Sequence, residues 1–171
     1  VLVFGWARSG KAAAQRLFEL GAQVTVVNGG EYENDAIYQQ LLENHVKFIS
    51  QDSDDSLDAT FDYMVKNPGI SYDTPLVKRA KALNIPILTE VEVALSSFDG
   101  RLIAVTGSNG KTTTTSLIRE MLKADGQNVT TAGNIGTPVC EVVRPLTKKD
   151  TLLLELSSFQ LMGLPDICLL Y

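Results

Sequence analysis

The sequence predicts an α/β protein: a Rossmann-like domain built on a parallel sheet, followed by an incomplete P-loop α/β domain. Three observations carry that prediction. Short β-rich runs alternate with amphipathic helical stretches. The opening run ends in a glycine turn, Val1-Leu2-Val3-Phe4-Gly5-Trp6-Ala7-Arg8-Ser9-Gly10. A second glycine loop, Gly107-Ser108-Asn109-Gly110-Lys111-Thr112-Thr113-Thr114, directly follows a fresh apolar strand. Strands joined through helices pair in parallel, and their ligands gather where strand ends meet the next helix.

Strands are predicted at Val1–Phe4, Val24–Val27, Lys47–Ile49, Tyr63–Lys66 and Ile85–Leu88, where β-branched and aromatic residues cluster between turn residues. Between them, Lys11–Leu20, Asp35–Asn44 and Leu76–Leu83 carry apolar residues at helical spacing, and Gly21 supplies a stop for the first. The acidic run Gln51–Asp58 reads as a solvated loop or short helix. Thr89–Leu95 reads as one more helix, and Ser96-Ser97-Phe98-Asp99-Gly100 as a hinge, which divides the chain into domains at 1–96 and 97–171. The second block runs through strand Leu102–Val105, helix Lys111–Asp125, strand Val129–Ala132, the turn Gly133–Pro138 and a further helical stretch. It ends in strands Thr151–Leu156 and Ile167–Tyr171. The chain begins inside a strand without a methionine and stops beside another apolar run, so it reads as part of a larger protein.

The chain has 171 residues, 15 basic and 20 acidic, for a net charge of -5. Its basic residues are scattered, with no stripe to displace counterions from a phosphate backbone, so nucleic acid is not an expected partner. No apolar run is long enough to cross a bilayer, and the amino end lacks the pattern of a secretory signal. Cys140 and Cys168 lie in apolar surroundings without metal-ligand spacing, which suits buried thiols in a reducing compartment. A cytoplasmic monomer is expected. The single histidine, His45, closes a helical pattern with no co-ligand arranged about it, which favours a structural position over a catalytic one.

A strand that turns through small residues into a helix leaves backbone N–H groups unpaired, and with the helix dipole these form a polyphosphate cradle. Gly107 to Thr114 fits that description. Lys111 would reach the terminal phosphates, and the Thr112 hydroxyl is a natural ligand for a Mg²⁺ shared with them. The pattern departs from the strict motif, with Val105 at the first glycine position and Gly107 two residues later. The Gly5–Gly10 turn resembles a dinucleotide fingerprint with Ala7 in its middle position. Asn28-Gly29-Gly30 stands where a dehydrogenase would carry a ribose-binding carboxylate, which argues against NAD. Arg8 and Ser9 at the helix mouth suit a diphosphate. Asn67-Pro68-Gly69-Ile70, at another strand end, can be read locally as a plain turn. Glu155 sits alone within the apolar run Leu152–Leu156; a buried carboxylate there requires a cation or strong donors. Ser157, Ser158 and Gln160 offer neutral polar groups just beyond it.

Together, Thr106–Thr114, Gly133-Asn134-Ile135-Gly136 and Glu155-Leu156-Ser157-Ser158-Phe159-Gln160-Leu161 resemble the Mur ligase family, and the last stretch resembles its D-glutamate-adding members. The resemblance extends through the first block and covers practically the whole chain. It implies a first domain for the uridine-diphosphate end of the substrate and a central domain for ATP and Mg²⁺. A third domain would close over both. The implied reaction of peptidoglycan synthesis joins D-glutamate to UDP-N-acetylmuramoyl-L-alanine through an acyl phosphate, releasing ADP and phosphate. The implied ATP site is Gly107, Ser108, Asn109, Gly110, Lys111, Thr112, Thr113 and Thr114, with Thr112 and Glu155 supporting metal and Lys111 and Glu155 acting in catalysis. The implied UDP-substrate contacts are Ala7, Arg8, Ser9, Asn28, Gly29, Asn67, Gly69, Asn134, Ser157 and Gln160. A family member continues into a metal-binding histidine, a modified lysine and an adenine-binding region that are not found before Tyr171, so the isolated chain is expected to be inactive. A sister ligase acting on another amino acid or a folate, and a non-catalytic nucleotide-binding fragment, remain open on the sequence.

Overall fold

In a computed structural model, residues 1–30, 32, 35–50, 56–134 and 136–161 are described, apart from the Phe159 side chain. The predicted strand Ile167–Tyr171, Cys168, and most of the acidic run lie outside these residues. Within that run, Leu57 is fully buried and joins the core, so it is not uniformly solvated. The chain forms two compact units, Val1–Val93 and Ala94–Tyr171.

The first unit contains β1 (Leu2–Phe4), α1 (Arg8–Glu19), β2 (Thr25–Val27), α2 (Ala36–Glu43), β3 (Lys47–Ile49), β4 (Met64–Lys66), α3 (Pro75–Ala82) and β5 (Ile87–Leu88). α4 (Glu90–Leu95) follows, across the division between the units. Its sheet is parallel throughout, in the order β3-β2-β1-β4-β5. The chain moves outward from β1 to β3, then returns to the other side of β1 with β4. That reversal opens a crevice at the carboxyl ends of β1 and β4, where the Gly5–Gly10 turn and Asn67–Ile70 lie. Leu2, Phe4 and Met64 pack on one face against Leu76, Val77 and Ala80 of α3.

α1 begins at Arg8, three residues before its predicted start, because Gly10 permits an early close approach. A Cβ at Gly10 would stand 2.0 Å from the Gly5 carbonyl oxygen, so only glycine lets this turn of helix lie on the strand end. Helices α1, α2 and α3 end alike, with a left-handed residue, Gly21, His45 or Asn84, just past the cap. The following N–H reaches back to close the end: Ala22 to Leu17, Val46 to Leu41 and Ile85 to Ala80. This pairing satisfies the last carbonyls of each helix.

The second unit contains β6 (Arg101–Val105), α5 (Lys111–Ala124), β7 (Val129–Gly133), α6 (Val139–Val142), β8 (Thr151–Glu155) and α7 (Ser158–Leu161). Its parallel sheet has the order β6-β8-β7. β8 is central and buried along its whole length, which accounts for its near-continuous leucines. In register, Val105, Glu155 and Gly133 are neighbours across the three strands, so the segments after β6, β7 and β8 emerge together at one edge. No helix of the described residues is long and apolar enough to cross a membrane.

Candidate functional site

The carboxyl edge of the second sheet brings together residues far apart in sequence. α5 starts at Lys111 with Gly110 as its left-handed cap residue (φ 77°) and no side chain capping its first N–H groups. Those donors and the helix dipole face outward from the loop, an arrangement suited to phosphate oxygens. Lys111 is folded back on the loop, its Nζ donating to the Gly107 carbonyl at 2.8 Å. Ser108, Asn109 and Gly110 are exposed, as are Thr112, Thr113 and Thr114 in the first turn of α5.

Glu155, the last residue of β8, is 3% exposed. The Thr112 hydroxyl donates to its Oε2 at 2.8 Å, and the Asn134 amide donates to its Oε1 at 3.1 Å. The Asn134 backbone N–H also donates to the Glu155 carbonyl at 2.7 Å, fastening the segment after β7 to the end of β8. A side chain at Gly133 would collide with that carbonyl, its Cβ only 2.3 Å away. Glycine at this point therefore allows Asn134 to reach Glu155. The carboxylate has two neutral donors, and no basic side chain forms an ion pair with it among the described residues. A hydroxyl has one proton; with that proton given to Glu155, the lone pairs of Thr112 Oγ1 are left for a cation. A Mg²⁺ ion suits this oxygen-rich, negatively charged set.

Ser157 and Gln160 bind each other. Gln160 Oε1 accepts from the Ser157 N–H at 3.0 Å and its hydroxyl at 3.1 Å, while Ser157 Oγ accepts from the Gln160 N–H at 3.3 Å. This reciprocal capping box starts α7, and the spacing Ser-x-x-Gln was its visible signal. Ile135, beside Asn134, is outside the described residues.

In the first unit, α1 likewise begins without a side-chain cap, with Ala7 in extended conformation before it. Arg8 and Ser9 open the helix, and Arg8 is exposed. Asn28 supports the turn by accepting the Trp6 N–H at 3.3 Å, whereas Gly29 is exposed. Asn67 closes a tight turn: its carbonyl accepts from Ile70 N–H at 3.0 Å and its side-chain oxygen from Gly69 N–H at 3.2 Å.

Three neighbours of this site carried no functional signal in the sequence. Lys11 forms an ion pair with Asp35, whose other oxygen caps α2 through the Ile37 and Tyr38 N–H groups. Trp6 Nε1 also donates to Asp35, at 3.2 Å. Burial pushes the Asp35 carboxyl up, but Lys11 and the two N–H groups outweigh it and hold it below the ordinary 3.8. The third, Lys66, is 4% exposed at the end of β4. His45, by contrast, is an exposed helix-terminating residue, and the described residues contain no cluster of three or more His, Cys, Asp or Glu that could hold a metal.

Residues 105–165 match the Mur ligase middle domain. The UDP-N-acetylmuramoylalanine--D-glutamate ligase of Leuconostoc citreum (strain KM20) is 76% identical over 168 residues, 98% of this chain and 37% of its own length. The protein of the same name from Lactococcus lactis subsp. lactis (strain IL1403) is 54% identical over 165 residues, 96% of this chain and again 37% of its own. The chain thus spans little more than a third of these relatives. Among solved structures, the UDP-N-acetylmuramate-alanine ligase of Thermotoga maritima aligns with a TM-score of 0.52 at 23% identity, covering 91% of this chain and 36% of that one. A UDP-N-acetylmuramate:L-alanyl-gamma-D-glutamyl-meso-diaminopimelate ligase from Neisseria meningitides aligns with a TM-score of 0.54 at 18% identity, covering 90% and 51%. These structures share the fold. The chain belongs to the Mur ligase family.

Proposed function

We propose that this chain is the substrate- and nucleotide-binding part of an ATP-dependent ligase that adds D-glutamate to UDP-N-acetylmuramoyl-L-alanine in cytoplasmic peptidoglycan synthesis. The observation that carries the reading is the convergence of Thr112, Asn134 and Glu155 beside the uncapped start of α5, whose first residue is Lys111. Adenine-binding and closing elements would come from the remainder of the protein.

In this reading, N–H groups from Ser108 to Thr113 hold the β- and γ-phosphates, and Lys111 leaves the Gly107 carbonyl for the terminal phosphate. Its ammonium then offsets the charge that develops as the γ-phosphoryl group passes to the alanyl carboxylate, giving an acyl phosphate and ADP. Bound Mg²⁺ would supply further charge neutralisation at the phosphates, with Thr112 and Glu155 as its protein supports. Asn134 holds Glu155 in place. The D-glutamate amine then attacks the acyl carbon, the amide forms and phosphate leaves. In the first unit, the α1 start with Ala7, Arg8 and Ser9, together with Asn28, Gly29, Asn67 and Gly69, receives the uridine diphosphate. Ser157 and Gln160 first support each other, and contact substrate only if their mutual hydrogen bonds open.

The direct test is phosphate release by the full-length protein containing this segment, supplied with ATP, Mg²⁺ and UDP-N-acetylmuramoyl-L-alanine, across a panel of amino acids. Release that depends on D-glutamate supports the assignment. Equal or greater release with another amino acid would transfer it to a sister ligase.

A further inference from the structure

Lys66 is a buried cation that the proposed reaction does not use. Its Nζ donates to the carbonyls of Ile70 at 2.7 Å and Asn67 at 3.1 Å, and lies 4.4 Å from the centre of the Tyr72 ring. No carboxylate forms an ion pair with it among the described residues. Burial draws its pKa below the ordinary 10.5. Placing an ammonium here is costly unless its bonds or a nearby anion compensate.

The two carbonyls belong to the turn that directs Asn67 toward the α1 start. Asn67 Nδ2 is buried and has no hydrogen-bond partner. It lies against the glycine turn: a Cβ at Gly10 would be 3.6 Å from it, and a Cβ at Gly5 would be 3.0 Å from Asn67 Cβ. The Asn67 side-chain oxygen is already committed to Gly69 N–H, which fixes the amide and leaves its N–H donors unpaired against the glycine turn. An orphaned donor beside an uncapped helix start, near a cation held by neutral groups alone, suits an anion with acceptor oxygens.

We propose that Lys66 is a positioning residue for the diphosphate of the UDP-linked substrate. It clamps the Asn67–Ile70 turn from beneath and so holds Asn67 against the Gly5–Gly10 turn that receives the diphosphate, and it supplies positive potential under that group. The inference rests on the first unit being the UDP-binding part.

Binding of UDP and of uridine to the 171-residue chain, with amide NMR to follow the fold, separates the possibilities. In the parent chain, UDP is expected to shift Gly5 and Gly10; no binding would overturn the UDP reading and this inference with it. Lys66→Met is expected to lower UDP affinity about tenfold while uridine affinity changes less than about twofold, because uridine lacks the diphosphate. Lys66→Arg should recover part of the UDP loss. Asn67→Ala should weaken UDP binding similarly, and the double variant should lose less than the sum of the two, since one residue acts through the other. If Lys66→Met does not fold, Lys66→Gln serves for the same comparison, as it retains a donor without the charge. An equal loss for UDP and uridine in a folded variant, or no loss for UDP, would overturn the proposal.

Discussion

At the residue scale, the second unit separates charge by sequence distance and reunites it by register. Lys111 and Thr112 follow β6, Asn134 follows β7, and Glu155 ends β8. The neutral donors on Glu155 make a tidy hydrogen-bond set, but they leave its charge without a counter-ion among the described residues. Lys111→Ala is expected to weaken ATP·Mg²⁺ binding about tenfold or more, since a hydrogen bond to a charged group contributes roughly 1.5–3 kcal/mol. Calorimetric titration checks this; equal affinities would remove the phosphate-loop role from Lys111. Asp35 makes a separate, pH-dependent prediction. Its folded pKa lies below the ordinary 3.8, so its stabilising contribution is present above that value and is lost as pH falls through the folded pKa. Asp35→Asn should therefore destabilise the first unit at neutral pH and flatten its response as pH falls from the ordinary 3.8 through the lowered folded pKa. The fluorescence of Trp6, the sole tryptophan, reports this directly through its bond to Asp35. An unchanged acid transition in the variant would show that Asp35 carries none of the response.

At the element scale, strand positions were legible because β-branched runs between turn residues leave little alternative, and the two sheets contain every predicted strand that falls among the described residues, which leaves out Ile167–Tyr171. Boundaries were less so. Asp35 reads as the first residue of a helix but acts as the cap of α2, and Pro86 belongs to the predicted fifth strand yet stands outside β5, offering its carbonyl to Met64 N–H at 2.9 Å. The phosphate loop and Glu155 were visible as local patterns; the Asn134–Glu155 contact was not, because it depends on the register of β7 and β8. Lys66 read as an ordinary strand end, since no spacing reveals that its ammonium bends under the next turn. The helix ends offer a stability test. His45 occupies the left-handed position after α2 at φ 64°, a position that glycine fills after α1. His45→Gly should stabilise the first unit by about 0.5–1 kcal/mol, as relief of left-handed strain exceeds the added freedom of the unfolded chain. A urea midpoint followed by Trp6 fluorescence should rise; a fall would show that the histidine side chain contributes more than its backbone costs.

At the scale of the whole molecule, two parallel sheets each present a glycine turn and an uncapped helix start at their carboxyl edges, one proposed for uridine diphosphate and the other for ATP. The sequence relatives are nearly three times as long as the chain, so the complete reaction belongs to the longer protein in this account, and binding belongs to the part described here. That division rests above all on Glu155 being a metal support beside the phosphate loop. The most direct test is amide NMR of the 171-residue chain titrated with ATP at several Mg²⁺ concentrations, for the parent and for Glu155→Gln, which keeps the shape and removes the charge. Mg²⁺-dependent shifts are expected at Gly107 to Thr114, with that dependence sharply reduced in a folded Glu155→Gln variant. Identical Mg²⁺ dependence in the two proteins, or nucleotide-induced shifts that avoid the loop, would contradict it.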